Sequence, residues 1–343
     1  MAGIKNKKMI GYNFILSLAL FAGSCSSSTP QNHTETGNKN NTDTTSTMNT
    51  HLTTGNLVQD IVKHPAFKGF GELLLPNDDN TRYYNTPITN IGTLMPYHNA
   101  VNPDEIVQSL NQLIDDTKNG KTVFYSFYTE AQKKQDPNKN NTGLFFYRGD
   151  PDAPFAIVCP GGAFAYVGSL HEGLPLASEI SKKKLNAFVI RYRIGSEQWA
   201  TEDLANAISF IFQNAKTLQV DTKNYSLWGF SAGARMVGNI ADYGVNAFTT
   251  GNHPKPVTAV IAYTGQSTYN KGFPATFITN SENDRIANIQ TVDRRVQNLK
   301  NAGVTVAYQR YKTAGHGFAL GTGTDAAGWL PKAVDFWKNQ MIK

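Results

Sequence analysis

A serine with glycines two places to either side, Gly229-Phe230-Ser231-Ala232-Gly233, follows the apolar run Tyr225-Ser226-Leu227-Trp228 and opens a stretch with helical spacing. Such glycines permit a sharp strand-to-helix turn that lifts the hydroxyl clear of the backbone. A hydroxyl so presented is a nucleophile if a base can reach it. Two groups suited to acid–base work also lie just past apolar runs. Asp284 closes Ser281-Glu282-Asn283-Asp284, after the run at 275–279, and His316 sits in Gly315-His316-Gly317-Phe318, after the run at 304–311. An imidazole can take the serine proton, and a carboxylate can orient the ring and stabilise its cation. Glu282 is the alternative acid in the same turn, and Asp284 has a second reading as the cap of a helix beginning near Ala287.

The other histidines are less well placed: His33 and His51 fall in a polar segment, His64 and His98 in an irregular stretch, and His253 beside Pro254. The strand-turn-helix setting of Ser231 resembles the α/β-hydrolase superfamily, and more narrowly its esterase/lipase branch, which includes acetyl-xylan-esterase-like carbohydrate esterases. The resemblance covers residues 121–343. It implies a chain order of nucleophile, acid and histidine, which Ser231, Asp284 and His316 meet. It also gives a role to Pro160-Gly161-Gly162-Ala163-Phe164, which stands where these esterases carry His-Gly-Gly-Gly: carried over, the oxyanion donors are the N–H groups of Gly162, Ala163 and, from the serine turn, Ala232. Cys159, just before that loop, reads as a buried small hydrophobe. His171-Glu172 reads as a helix start, with a contact to the substrate as the other reading. Phe164, Tyr166 and Phe230 are bulky rings whose position would limit the acyl side to short groups.

These residues need a scaffold, and the periodicity supplies one. Asn102-Pro103-Asp104-Glu105 is an N-cap, a proline at the first helical position and first-turn acids, with Ile106, Val107, Leu110, Leu113 and Ile114 on one face as far as Asn119-Gly120. Aromatic-rich strands are expected at 122–128 and 143–148 as a hairpin across a polar loop. Shorter apolar strands follow at 155–159, 187–192, 225–228, 257–263, 275–279 and 304–311, interleaved with helices at 172–184, 201–218, 232–243, 287–302 and 326–341. The expected fold is α/β, an eight-stranded mostly parallel sheet with helices on both faces.

The 343-residue chain is 40% hydrophobic and 17% charged, far from the composition of a disordered protein. Its formal charge of +6 includes Lys5, Lys7 and Lys8 at the start, so no nucleic-acid footprint is expected. Those lysines precede an apolar stretch of 14 residues, Met9 to Ala22, then Gly23-Ser24-Cys25. At about 1.5 Å per residue this is too short to span a bilayer core of about 30 Å, and it reads as a secretory signal. Small residues running into Cys25 resemble a bacterial lipobox, with Ala22 where that motif usually has Leu. The resemblance implies a lipid on Cys25 and attachment to the bacterial cell envelope; ordinary cleavage to a secreted soluble form is the alternative. The Ser/Thr/Asn-rich run that follows has almost no apolar surface to bury. The expected organisation is a signal peptide at 1–24, a lipidated N-terminus and disordered tether at 25–55, a lead-in with one helix at 56–120 and a catalytic domain at 121–343.

The expected activity is serine hydrolysis of carboxylic esters through an acyl-enzyme. Short acyl groups are expected to leave a small-molecule or carbohydrate ester, and no metal or organic cofactor is expected. The alternative is a catalytically silent surface lipoprotein that binds glycan or a protein partner on the same scaffold.

Overall fold

The computed structural model describes residues 50–270 and 272–341. The signal-peptide reading, Cys25 and the tether as far as residue 49 lie outside the described residues. Residues 50–55, expected as the end of the tether, instead pack on the domain. Leu52, the single apolar residue of that stretch, is buried, and its N–H and C=O pair with the Asn111 side chain at 2.8 and 2.9 Å.

The lead-in forms a short helix, α1 (Val58–Lys63), and a series of 3-10 turns ending at Leu94. Its apolar side chains have no helical or strand period because each short segment buries at most three of them. Val58, Ile61, Phe67, Leu75, Ile88 and Ile91 nonetheless join the same core as the sheet. Helix α2 (Pro103–Lys118) begins as its sequence requires, with the Asn102 side chain accepting from the N–H groups of Asp104 and Glu105.

The strands are β1 (Phe124–Tyr125), β2 (Gly143–Tyr147), β3 (Ala153–Cys159), β4 (Asn186–Arg191), β5 (Val220–Phe230), β6 (Thr258–Ala262), β7 (Ala275–Ser281) and β8 (Val306–Tyr311). They form one eight-stranded sheet in the order β1-β2-β4-β3-β5-β6-β7-β8. Strands β1 and β2 pair antiparallel, β2 pairs antiparallel with β4, and the remaining pairs are parallel. Strand β1 is much shorter than expected, and the link to β2 holds a small helix, Glu130–Gln135, fixed by a Thr129/Gln132 capping box. Strand β5 is longer. Its start at Val220 and Asp221 pairs with Ala153 and Pro154 before a register shift, and the residues that follow, 221–224, are polar and show no apolar run.

Between the strands lie α3 (Leu174–Lys182), α4 (Glu197–Gln213), α5 (Ala232–Tyr243) and α6 (Ile289–Asn301), with α7 (Trp329–Gln340) at the end. Alternate strand residues face opposite layers, as the period of two demands. Phe145, Val158, Val189, Trp228 and Val260 face the layer of the lead-in, α2, α3 and α7. Phe146, Ile157, Phe188, Leu227 and Ile261 face α4, α5 and α6. Because β3 and β5 to β8 are parallel, the loops after them emerge along one edge, where ligands bind in open sheets of this kind.

Candidate active site

Ser231 follows β5 directly and is the N-cap of α5, with φ 50° and ψ −112°. That left-handed conformation is strained for a serine and is held in place by its neighbours. The Ser231 N–H donates to Ala262 O at 3.0 Å. A side chain at position 233 would drive into the carbonyl of Cys159, so the turn requires glycine there. Cys159 itself is fully buried, and burial pushes its thiol well above the ordinary range, as suits a packing residue.

Asp284 comes from the turn after β7 and His316 from the loop after β8. The three side chains meet in series: His316 Nε2 lies 2.8 Å from Ser231 Oγ, and His316 Nδ1 lies 2.8 Å from Asp284 Oδ2. The other Asp284 oxygen accepts from the N–H groups of Ile286 and Ala287 at 2.7 and 2.8 Å, so the capping and orienting roles occupy separate oxygens of one carboxylate. Glu282 points elsewhere, to Arg310 Nε at 3.1 Å. Asp284 and His316 are almost fully buried, and Ser231 is partly open to a cleft of about 520 Å³. A serine proton can pass to such an imidazole, and its carboxylate partner stabilises the cation that forms.

Ala163 and Ala232 line this cleft together with Ser231 and His316. Neither of their N–H groups has an acceptor among the described residues. Gly162, the third expected donor, is buried with φ 129°, any side chain there would strike Tyr166, and its N–H likewise has no acceptor among the described residues. Of the rings expected on the acyl side, only Phe164 reaches the cleft, where it also packs edge-on against Tyr192. Phe230 is buried against Tyr263 and Trp329, and Tyr166 turns toward the lead-in. Bulk in the sequence could not distinguish those directions.

Sequence reasoning missed the layer beneath. His171 and Glu172 are buried in a π-helical turn, Ser169–Gly173, ahead of α3, and neither touches the cleft. Glu172 accepts from Gly161 N–H at 2.6 Å and from the Tyr263 hydroxyl at 2.8 Å, with His98 Nε2 at 3.0 Å. Burial opposes ionisation of this carboxyl, but the His98 ring, then His171 and the Tyr263 hydroxyl, outweigh it and hold the group at about 2. His171 Nε2 faces the carbonyls of Asn99 and Gly317 at 3.1 and 2.9 Å. Burial, and secondarily the neighbouring His98, lower His171 to about 4. His98 comes from the lead-in, where no motif marked it. No group of three or more His, Cys, Asp or Glu among the described residues could hold a metal, and no helix among them is long and apolar enough to cross a membrane.

Residues 148–267 match the BD-FAE family model. The chain is 31% identical over 107 residues to endo-1,4-beta-xylanase B of Butyrivibrio fibrisolvens, a match covering 29% of this chain and 17% of that much longer protein. Among solved structures it is similar to carboxylesterase Cest-2923 of Lactobacillus plantarum, with 21% identity, a TM-score of 0.50, and coverage of 59% of this chain and 94% of that one. It is likewise similar to an acetyl ester-xyloside bifunctional hydrolase of Caldicellulosiruptor lactoaceticus, with 18% identity, a TM-score of 0.50, and coverage of 58% and 88%. An α/β hydrolase from a deep-sea metagenome library of the Medee basin has 21% identity and a TM-score of 0.50, with coverage of 58% and 92%.

Proposed function

The chain has the α/β-hydrolase fold, and its residues 148–267 match the BD-FAE family model; from that premise we propose that it is a serine hydrolase of carboxylic esters. The observation that carries this reading is the unbroken series of 2.8 Å contacts from Asp284 through His316 to a strained Ser231 open to a cleft.

Ser231 Oγ attacks the ester carbonyl while His316 Nε2 takes its proton. The carbonyl oxygen, now an oxyanion, accepts from the free N–H groups of Ala163 and Ala232, and Asp284 stabilises the imidazolium. The tetrahedral species collapses, the C–O bond to the alcohol breaks, and His316 returns the proton to the departing alkoxide. Water then attacks the acyl-enzyme by the same steps in reverse roles, releasing the carboxylic acid and restoring Ser231.

The alkoxide must leave on the His316 side. There a second cleft of about 380 Å³, lined by Tyr97, Asn99, Asn283 and Arg285, adjoins His316. An aromatic ring among amide and guanidinium groups suits a polar alcohol, such as a sugar, better than an alkyl chain. The similarity to a xylanase and to an acetyl ester-xyloside hydrolase points the same way, and we take short acyl esters of carbohydrate as the substrate class. The Lys-rich start, the apolar run and Cys25 support export to the bacterial envelope on a lipid anchor. Labelling by a fluorophosphonate, with p-nitrophenyl acetate and acetylated xylan as substrates, tests the activity: a chain that is neither labelled nor hydrolytic, yet binds glycan, is the silent binding protein instead.

A further inference from the structure

One turn of chain under the site touches both of its halves. Glu172 reaches forward to Gly161, within the proposed oxyanion loop, and sideways to Tyr263, whose ring stands edge-on to His316 at 5.1 Å between centroids. His171, its neighbour in the same turn, holds the Gly317 carbonyl beside His316. The Gly161 peptide is bound on both sides, since its carbonyl also accepts from Gly168 N–H at 2.9 Å. Behind Glu172 the contacts continue outward. The Tyr97 N–H donates to the Tyr166 hydroxyl at 3.1 Å, the same hydroxyl pairs with His98 Nδ1 at 2.8 Å, and His98 Nε2 faces Glu172 at 3.0 Å. Every member of this relay is satisfied, and the side chains of His98 and Glu172 are 2% and 0% exposed. A buried carboxylate with three donors is costly unless each contact is kept, and π-turns inside helical segments recur at functional sites.

Resting on the esterase reading above, we infer that Glu172 is a positioning residue for the oxyanion loop: with His98 and Tyr166 behind it, its carboxylate fixes the Gly161 peptide and thereby the direction of the Ala163 N–H. Charge-assisted hydrogen bonds to backbone N–H groups are the short, directional kind suited to this task, and a small misdirection of an oxyanion donor costs rate, not substrate binding.

The test uses the full chain and Glu172→Gln, which keeps the shape of the side chain but replaces one accepting oxygen by a donor. Pro160-Gly161 is the only Pro-Gly pair in the sequence, so labelling proline carbonyls with 13C and glycine amides with 15N isolates the Gly161 resonance. We expect its amide proton well downfield in the wild type and displaced upfield in the variant. Alongside this, kcat on p-nitrophenyl acetate should fall about 10- to 100-fold with KM within about twofold. A trifluoromethyl ketone, whose adduct with Ser231 carries the oxyanion, should lose affinity by the same factor as kcat/KM. Tyr166→Phe, which removes one hydroxyl from the relay, should move each readout in the same direction by less. If Glu172→Gln does not fold, Tyr166→Phe decides by the same readouts. An active, labelled wild type whose variants leave kcat and ketone affinity unchanged overturns this inference alone. A wild type that hydrolyses nothing and takes no label overturns the esterase reading and this one together.

Discussion

Asp284 bonds to His316 with one oxygen and caps the turn before α6 with the other, whereas Glu282 is engaged at the surface by Arg310. The two acids therefore separate in a mutant pair. Asp284→Asn should lower kcat on the order of 10⁴-fold, because an amide cannot hold the required tautomer or balance the imidazolium, while Glu282→Gln should stay near wild type. Steady-state kinetics decide it, and the opposite ranking would move the acid to Glu282. Ser231→Ala and His316→Ala should each remove about 10⁴- to 10⁶-fold of kcat; the thermal midpoint should barely move for Ser231→Ala, which loses one hydroxyl, and should fall more for His316→Ala, which empties a buried ring site beside Tyr263. These three residues were legible because each follows a strand by a few positions and the required chain order could be checked in the sequence. The Glu172–His98 pair was not. Its partners lie far apart in the chain, neither sits in a motif, and a buried charge shows itself only when the donors around it are located.

At the scale of elements, what periodicity could find were long stretches with one apolar face. Helix α5 falls at 232–243 as expected, and α2 and α6 differ by only a residue or two at each end. What it could not find was a change of helical pitch: the residues expected to open a helix at 172 are a π-turn, Ser169–Gly173. That turn has a consequence for acid stability. His171 is lowered to about 4 from an ordinary 6.5, so the unfolded chain binds its proton first and stability falls with pH from about 6.5 down to 4. Glu172 is lowered to about 2 from 4.5, so its contribution is present above 4.5 and is lost as pH falls toward 2. Both slopes have the same sign. Urea unfolding at a series of pH values should show stability declining from near pH 6.5, and Glu172→Gln should flatten the part below 4.5. The loop at 160–164 yields a separate expectation. As Phe164 is the only one of the three expected rings in the cleft, Phe164→Ala should raise kcat/KM for octanoyl over acetyl esters, each newly buried CH₂ adding up to about 0.8 kcal/mol. An unchanged acyl profile would mean that the ring does not bound the acyl side.

For the molecule as a whole, the lead-in is the part whose importance composition concealed. Its apolar residues complete one of the two cores, and its last turn brings His98 under the oxyanion loop and Asn99 against His316, whose carbonyl accepts from Asn99 N–H at 3.2 Å. A hydrolase domain beginning at residue 121 would therefore lack both a core layer and a support of its own site. A truncation series separates the regions. Removing residues 1–49 should leave thermal stability and ester hydrolysis unchanged, because among the described residues the first buried side chain is Leu52. Removing 1–55 takes away that side chain and its two bonds to Asn111, and should cost about 2 to 4 kcal/mol in urea unfolding while leaving kcat near the full-length value. Removing 1–100 exposes the face of α2 and the underside of the sheet and should give no folded enzyme. In cells, Cys25→Ala in the full chain should shift the protein from the membrane fraction to the soluble one without altering its specific activity, since Ser231, Asp284, His316 and the residues that contact them all lie between residues 97 and 319. Equal membrane association with and without the thiol would remove the lipid from the account and leave the catalytic domain as it is.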